Sequence, residues 1–152
     1  MEFSARVKYA GTPQEVAGLL VSRELAQARA AKAGMGEFEY AVEDGATVVR
    51  VRVGGEALPD FARKFAKGGL SGQIQARSEG NVVRHLVKVA GMPVSARFDV
   101  VLSPDAGGTV GEVRGEVTVS VPFVGKKIEE KAVVHAQRAV EEDAAIVNSL
   151  LG

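Results

Sequence analysis

The 152-residue chain has no cysteine, which excludes a disulfide framework, thiolate zinc sites and a cysteine nucleophile. An excess of one charge is also missing. Nineteen Lys and Arg stand against nineteen Asp and Glu, so no whole-molecule field steers the protein to nucleic acid or to an anionic membrane. Nucleic acid is not an expected partner. No apolar run approaches the roughly 18 residues that span a bilayer. The start Met-Glu-Phe-Ser-Ala-Arg also lacks the basic and apolar regions of a signal peptide. A cytoplasmic, soluble chain with no integral membrane segment is the expectation. Only two histidines occur, His85 and His135, and neither has a second ligand at an obvious spacing on its own element, so no metal is expected. No motif calls for a cofactor. Repeats, low-complexity stretches and linkers are absent. At this length about two-thirds of the unfolded chain's surface is buried on folding, so residues 1–152 read as one domain.

What remains is pattern. Glu2 to Tyr9 alternates, with Phe3, Ala5, Val7 and Tyr9 on one side, as a half-buried strand does. Thr12-Pro13-Gln14-Glu15 follows, with the cap, the first-turn proline and the third-position glutamate of a capping box. The helix it opens carries Val16, Leu19 and Leu20, breaks near Ser22, and resumes through an alanine-rich run to Ala33 before Gly34 and Gly36. From Glu37 the period returns to two. Phe38, Tyr40 and Val42, a turn at Asp44-Gly45, then Val49, Val51 and Val53 make a hairpin. Leu58 to Phe65 reads as a short helix with Leu58, Phe61 and Phe65 on its apolar side, closed by Gly68 and Gly69. Extended segments follow at roughly 70–78, 82–90, 94–103 and 109–121. Glycines 72, 111 and 115 fall inside them, where they destabilise unless the sheet bends or another group comes close. After Pro122-Phe123-Val124-Gly125 the chain is helical to its end, with Ile128, Ala132, Ala139, Ile146 and Leu150 on one stripe. Val133, Ala136, Val140, Val147 and Leu151 widen it into an arc that faces the sheet.

The expected fold is α+β: a curved antiparallel sheet of about seven strands around a long C-terminal helix, with two short helices after the first strand. That order, the Leu58–Phe65 segment, Val94-Ser95-Ala96-Arg97-Phe98 and the run from Gly115 through Pro122-Phe123-Val124-Gly125-Lys126-Lys127 to Glu129 resemble the helix-grip superfamily. START lipid-transfer domains, polyketide cyclases and the birch-pollen allergen belong to it. Within it the chain looks most like a branch catalogued as domain of unknown function 2505, over essentially the whole length. The resemblance brings no catalytic motif. It implies a cavity between sheet and C-terminal helix, because most characterised relatives hold sterols, lipids, polyketides or hormones there. Fold alone does not fix function.

Glycine clusters at 68–72 and 107–111 lack the lysine and the βαβ setting of a phosphate loop, so they read as turns. Polar groups fit for chemistry are few. His85 is in phase with Val83, Val87 and Val89 and points inward, either as hydrogen-bonded structure or as a functional group. Lys126 and Lys127 open the last helix, where the dipole is already positive; they are solvated charges or a docking point for an anionic head group. Phe123 staples the helix entry to the core, or meets a ligand or a membrane. Asp143 falls inside the apolar arc between Ala139, Val140, Ile146 and Val147, so either it has a hydrogen bond, an inward Arg or His, or a watered cavity, or a rotation or bend of the helix carries it to the rim beside Glu142. Ligand contacts are therefore expected from Tyr9, Tyr40, Phe61, Phe65, His85, Phe98, Phe123 and Asp143. Binding or transport of a small hydrophobic molecule is the leading reading. A cyclase- or hydrolase-like enzyme and an interaction module with a closed core are the alternatives.

Overall fold

The computed structural model describes residues 1–33, 38–66 and 68–152. Chain order runs β1 (Glu2–Tyr9), α1 (Pro13–Leu20), α2 (Arg23–Lys32), β2 (Phe38–Glu43) and β3 (Ala46–Val53), then a 3-10 turn at Gly55–Ala57 and the single-turn α3 (Asp60–Arg63). It continues with β4 (Leu70–Glu79), β5 (Val82–Val89), β6 (Val94–Asp105), β7 (Gly108–Val119) and α4 (Gly125–Leu151). The helix stop expected at Gly34 and Gly36, and the strand start at Glu37, lie outside the described residues.

Local chemistry sets these boundaries. At α1, Thr12 Oγ1 accepts from the Glu15 N–H at 3.2 Å and Glu15 Oε1 accepts from the Thr12 N–H at 3.1 Å, which completes the capping box. Ser22 breaks the helix and caps the next one by accepting from the Leu25 N–H. Asp44 and Gly45 both take positive φ, 51° and 76°, as a two-residue turn between β2 and β3 requires. The expected Leu58–Phe65 helix shrinks to Asp60–Arg63: Pro59 holds the residue before it, Leu58, in extended backbone, so the helix cannot start earlier, and Arg63 turns back to bond the carbonyls of Gly55 and Leu58.

All seven strands form one antiparallel sheet in the order β1-β7-β6-β5-β4-β3-β2. Because side chains alternate, the register sorts them onto two faces. One inward row runs Phe3, Gly115, Phe98, His85, Ala76 and Thr47 across six strands. The odd-numbered residues of β7, among them Val113, Val117 and Val119, are buried on the same face. α4 lies across it against β1 and β7, with α1 and α2 closing its C-terminal half. Gln137 and Asn148 tie it down by donating to the Ser4 and Lys8 carbonyls, and Asn148 Oδ1 accepts from the Ala10 N–H. Near the other end the Glu129 carboxylate accepts from the Val119 N–H at 2.8 Å, a bond that holds its pKa below the usual value.

The facing of α4 needs one correction. Ala139 is exposed and Leu150 largely so, while Ile128, Ala132, Ala136, Val140, Ala144, Val147 and Leu151 take the inner line. That line advances by four through most of the helix, so it winds with the twisted sheet instead of following a straight stripe.

Gly115 shows why the strand glycines are there. A Cβ at this position would lie 2.6 Å from the Phe3 ring and 2.7 Å from Phe98 Cβ, so the two aromatic residues close over bare backbone. We expect Gly115→Ala to cost about 2 kcal/mol, measured by urea unfolding, since overpacking a filled core usually costs about 1–3 kcal/mol. An unchanged midpoint would mean the rings have room to move.

Candidate functional site

Two features occupy the inner face. At the N-terminal end of α4 a small cavity of about 80 Å3 lies between α3, the helix and the sheet. Phe61 and Phe65 close it from α3 and the turn after it, Ile128 and Ala132 from α4, and Leu70, Val89, Met92, Val94, Val119 and Val121 from the strands and their ends. All of these side chains are apolar. Wider open hollows of about 860 and 700 Å3 lie on the outer face, lined by charged residues such as Arg50, Arg52, Lys88, Arg84 and Arg114. They are less suited to an apolar ligand than the more sheltered apolar space, whatever their size.

The second feature is polar and sits nearer the C-terminal half of α4. Arg29 of α2 makes a two-pronged bond to Asp143, Nε to Oδ1 at 2.6 Å and Nη2 to Oδ2 at 2.7 Å. Both side chains keep about a quarter of their exposure. The carboxylate on the apolar arc is therefore partnered, by an inward arginine as one of its possible solutions required. His85 is 4% exposed and lies flat on Phe98, ring centroids 4.3 Å apart at 8°. Its Nδ1 is buried and has no hydrogen-bond partner among the described residues. Burial, followed by the Arg29 charge, lowers its pKa to about 4, while Asp143 and the backbone of Val83 and Phe98 pull the other way. Tyr9 is buried on β1, and burial followed by the Asp143 charge raises its hydroxyl to about 12, with Arg29 opposing. His85 is thus neutral and Tyr9 protonated near neutral pH, beside an ion pair that is already satisfied. Such a group can orient a polar atom by hydrogen bonding. It holds no ready base except the imidazole.

The eight side chains expected at the site divide. Phe61 and Phe65 line the apolar cavity, whereas Tyr9 and His85 lie within electrostatic reach of the Arg29–Asp143 pair, with Phe98 beneath the imidazole. Tyr40 stands apart: its hydroxyl donates to the Val21 carbonyl at 3.0 Å and Arg23 lies over its ring, so it braces the α1–α2 junction. Phe123 is fully exposed, which corrects the expectation that it staples the helix entry to the core. It sits at a positive φ of 69° in the turn before α4. Sequence reasoning missed Arg29, although Leu25, Ala26 and Ala30 are buried on α2 and position 29 falls on that same side. No three His, Asp or Glu side chains among the described residues cluster as a metal site would require. No helix among them is long and apolar enough to cross a membrane.

A seven-stranded antiparallel sheet wrapped around a long C-terminal helix, with an apolar space between them, is the helix-grip fold. The chain belongs to the family described as "Protein of unknown function (DUF2505)", which matches residues 4–151. No curated protein matches its sequence. Among solved structures, norcoclaurine synthase from Thalictrum flavum is similar with a TM-score of 0.65 at 14% identity, covering 99% of this chain and 86% of that one. Ara h 8.0201 is similar with a TM-score of 0.64 at 10% identity, covering 99% and 96%. TTHA0849 from Thermus thermophilus is similar with a TM-score of 0.63 at 15% identity, covering 98% and 95%. At these identities the likeness shows the fold.

Proposed function

We propose that the chain binds a small hydrophobic molecule, lipid-, sterol- or polyketide-like, between the sheet and α4. The observation that carries this reading is the partly enclosed cavity with wholly apolar side chains at the N-terminal end of the helix. Its volume of about 80 Å3 is small beside the roughly 300–1,000 Å3 of ordinary ligand pockets. Burying about 100 Å2 of apolar ligand there yields only about 2.5 kcal/mol. Micromolar affinity needs about 8 kcal/mol. The ligand must therefore cover more surface, and half-buried Val49, Val51, Ile74 and Val87 on the same inner face supply it.

The test is displacement of a hydrophobic fluorophore by a fatty acid or a sterol. We expect displaceable binding at about micromolar concentration, weakened about tenfold by Ala132→Phe, which fills the cavity. If nothing displaceable binds, an interaction module with a closed core becomes the better account. A cyclase- or hydrolase-like enzyme using the same space is a second reading, favoured by two buried polar side chains, His85 and Tyr9, within electrostatic reach of the Arg29–Asp143 pair. It requires a turnover that His85→Gln abolishes while fluorophore binding persists.

A further inference from the structure

Phe123 is the most exposed large apolar side chain described, and the backbone is bent to put it there. The Val124 N–H donates to the Pro122 carbonyl at 2.9 Å around a residue whose φ is 69°, a tight γ-turn of the strained, positive-φ kind. For a bulky residue that conformation is unfavourable, and an exposed ring recovers nothing inside the molecule. The turn is also held in place. Gly125 donates to the Val121 carbonyl, and a Cβ on Gly125 would meet the Val119 carbonyl oxygen, so the chain closes hard against the end of β7. The Ser120 N–H donates to the Pro93 carbonyl, joining the β5–β6 turn to the same end.

What surrounds the ring identifies its partner. Val124 and Phe65 are both partly exposed, and Phe65 shares the apolar cavity with Val121, two residues from Phe123. Exposed cations Arg63, Lys64, Lys126, Lys127 and Lys131 outnumber the exposed acids Glu56, Asp60 and Glu130 on the adjoining segments. Arg63 is engaged by Asp60 at 3.5 Å and by the Gly55 and Leu58 carbonyls, which leaves the lysines, among the described residues, as the free cations beside the ring. The Glu129 carboxylate is engaged by the Val119 N–H. A protruding aromatic tip fringed by cations suits the interfacial layer of an anionic bilayer, where the ring leaves water and the lysines meet lipid phosphates.

We propose that the Pro122–Lys127 turn, with Phe65 beside it, docks this end of the protein on an anionic lipid surface, with the apolar cavity directly behind the contact. The inference goes beyond ligand binding and does not depend on it, because docking and cavity occupancy have separate readouts. The experiment is flotation with phosphatidylcholine vesicles, with and without phosphatidylglycerol, on wild type, Phe123→Gly and the Lys126→Gln/Lys127→Gln pair. Wild type is expected on the anionic vesicles, with binding that weakens as salt rises. Phe123→Gly is expected to lower the partition about tenfold while raising thermal stability, since glycine relaxes the positive φ. The lysine pair is expected to lower it about tenfold on anionic vesicles only. Fluorophore displacement without vesicles should be the same in all three, so loss of that signal would count against the cavity and not against docking. Absence of wild-type binding to anionic vesicles, equal binding by Phe123→Gly, or a wild-type dimer in solution that Phe123→Gly dissociates would overturn the proposal.

Discussion

Acidification from neutrality to about pH 4 is expected to cost the folded chain about 3 kcal/mol through His85 alone. The folded imidazole has a pKa of about 4 and the unfolded one its ordinary 6.5, so the unfolded state binds more protons between those values. Stability is therefore fully present above about pH 6.5, falls as pH drops through the interval, and levels off below about pH 4. Tyr9, Arg29 and Asp143 face the same region, and the Tyr9 hydroxyl, raised to about 12, keeps its proton throughout. Urea unfolding at a series of pH values, on wild type and His85→Leu, isolates the contribution as a difference in slope. The leucine variant loses the stack on Phe98 at every pH, and that constant offset leaves the slope comparison intact. Equal slopes would show that the imidazole finds a partner or reaches solvent.

The second large effect belongs to the Arg29–Asp143 pair. From the helical arc alone, an apolar residue at 143 suits a dry interior. With Arg29 in place the expectation reverses, because Asp143→Leu strands a guanidinium whose two bonded nitrogens have lost their acceptors. Breaking a buried pair costs about 3–5 kcal/mol, and the remaining exposure of both side chains trims that to about 2 kcal/mol here. Asp143→Asn, which keeps one acceptor, should cost about half as much. With Arg29→Leu also costing about 2 kcal/mol, the double variant Arg29→Leu/Asp143→Leu should return to within about 1 kcal/mol of wild type, giving a coupling of about 3 kcal/mol in the cycle. Additive single and double variants would mean that the pair stabilises nothing.

These residues also show how far a sequence can be read. The capping box at Thr12, the turn at Asp44-Gly45 and the alternation of β7 are legible because each is decided within a few neighbouring residues. Glycine 115 is recognisable as a place of close approach, but its sequence context does not name Phe3 and Phe98 as what approaches it. Asp143 is conspicuous on its helix, whereas its partner lies 114 positions away on α2, and one sequence holds no record of which arginine crosses that distance. The direction of Phe123 escapes a sequence reading for a different reason. Hydrophobicity assigns a phenylalanine to the core, and nothing in Pro122-Phe123-Val124 announces a positive φ at its centre.

The bonds from α4 to β1 have a bearing on self-association. β1 is an edge strand, and its outward carbonyls at Ser4 and Lys8, with the Ala10 N–H just beyond, are the groups a strand from another molecule would need. Gln137 and Asn148 already occupy them, so the helix acts as a guard rail along that border. β2 forms the opposite border of the sheet. Among the described residues no side chain bonds its backbone, and its Val42 is two-thirds exposed. Among the described residues, unwanted strand-to-strand growth therefore has its open border at β2, and a lysine at position 42 is the substitution that would shut it.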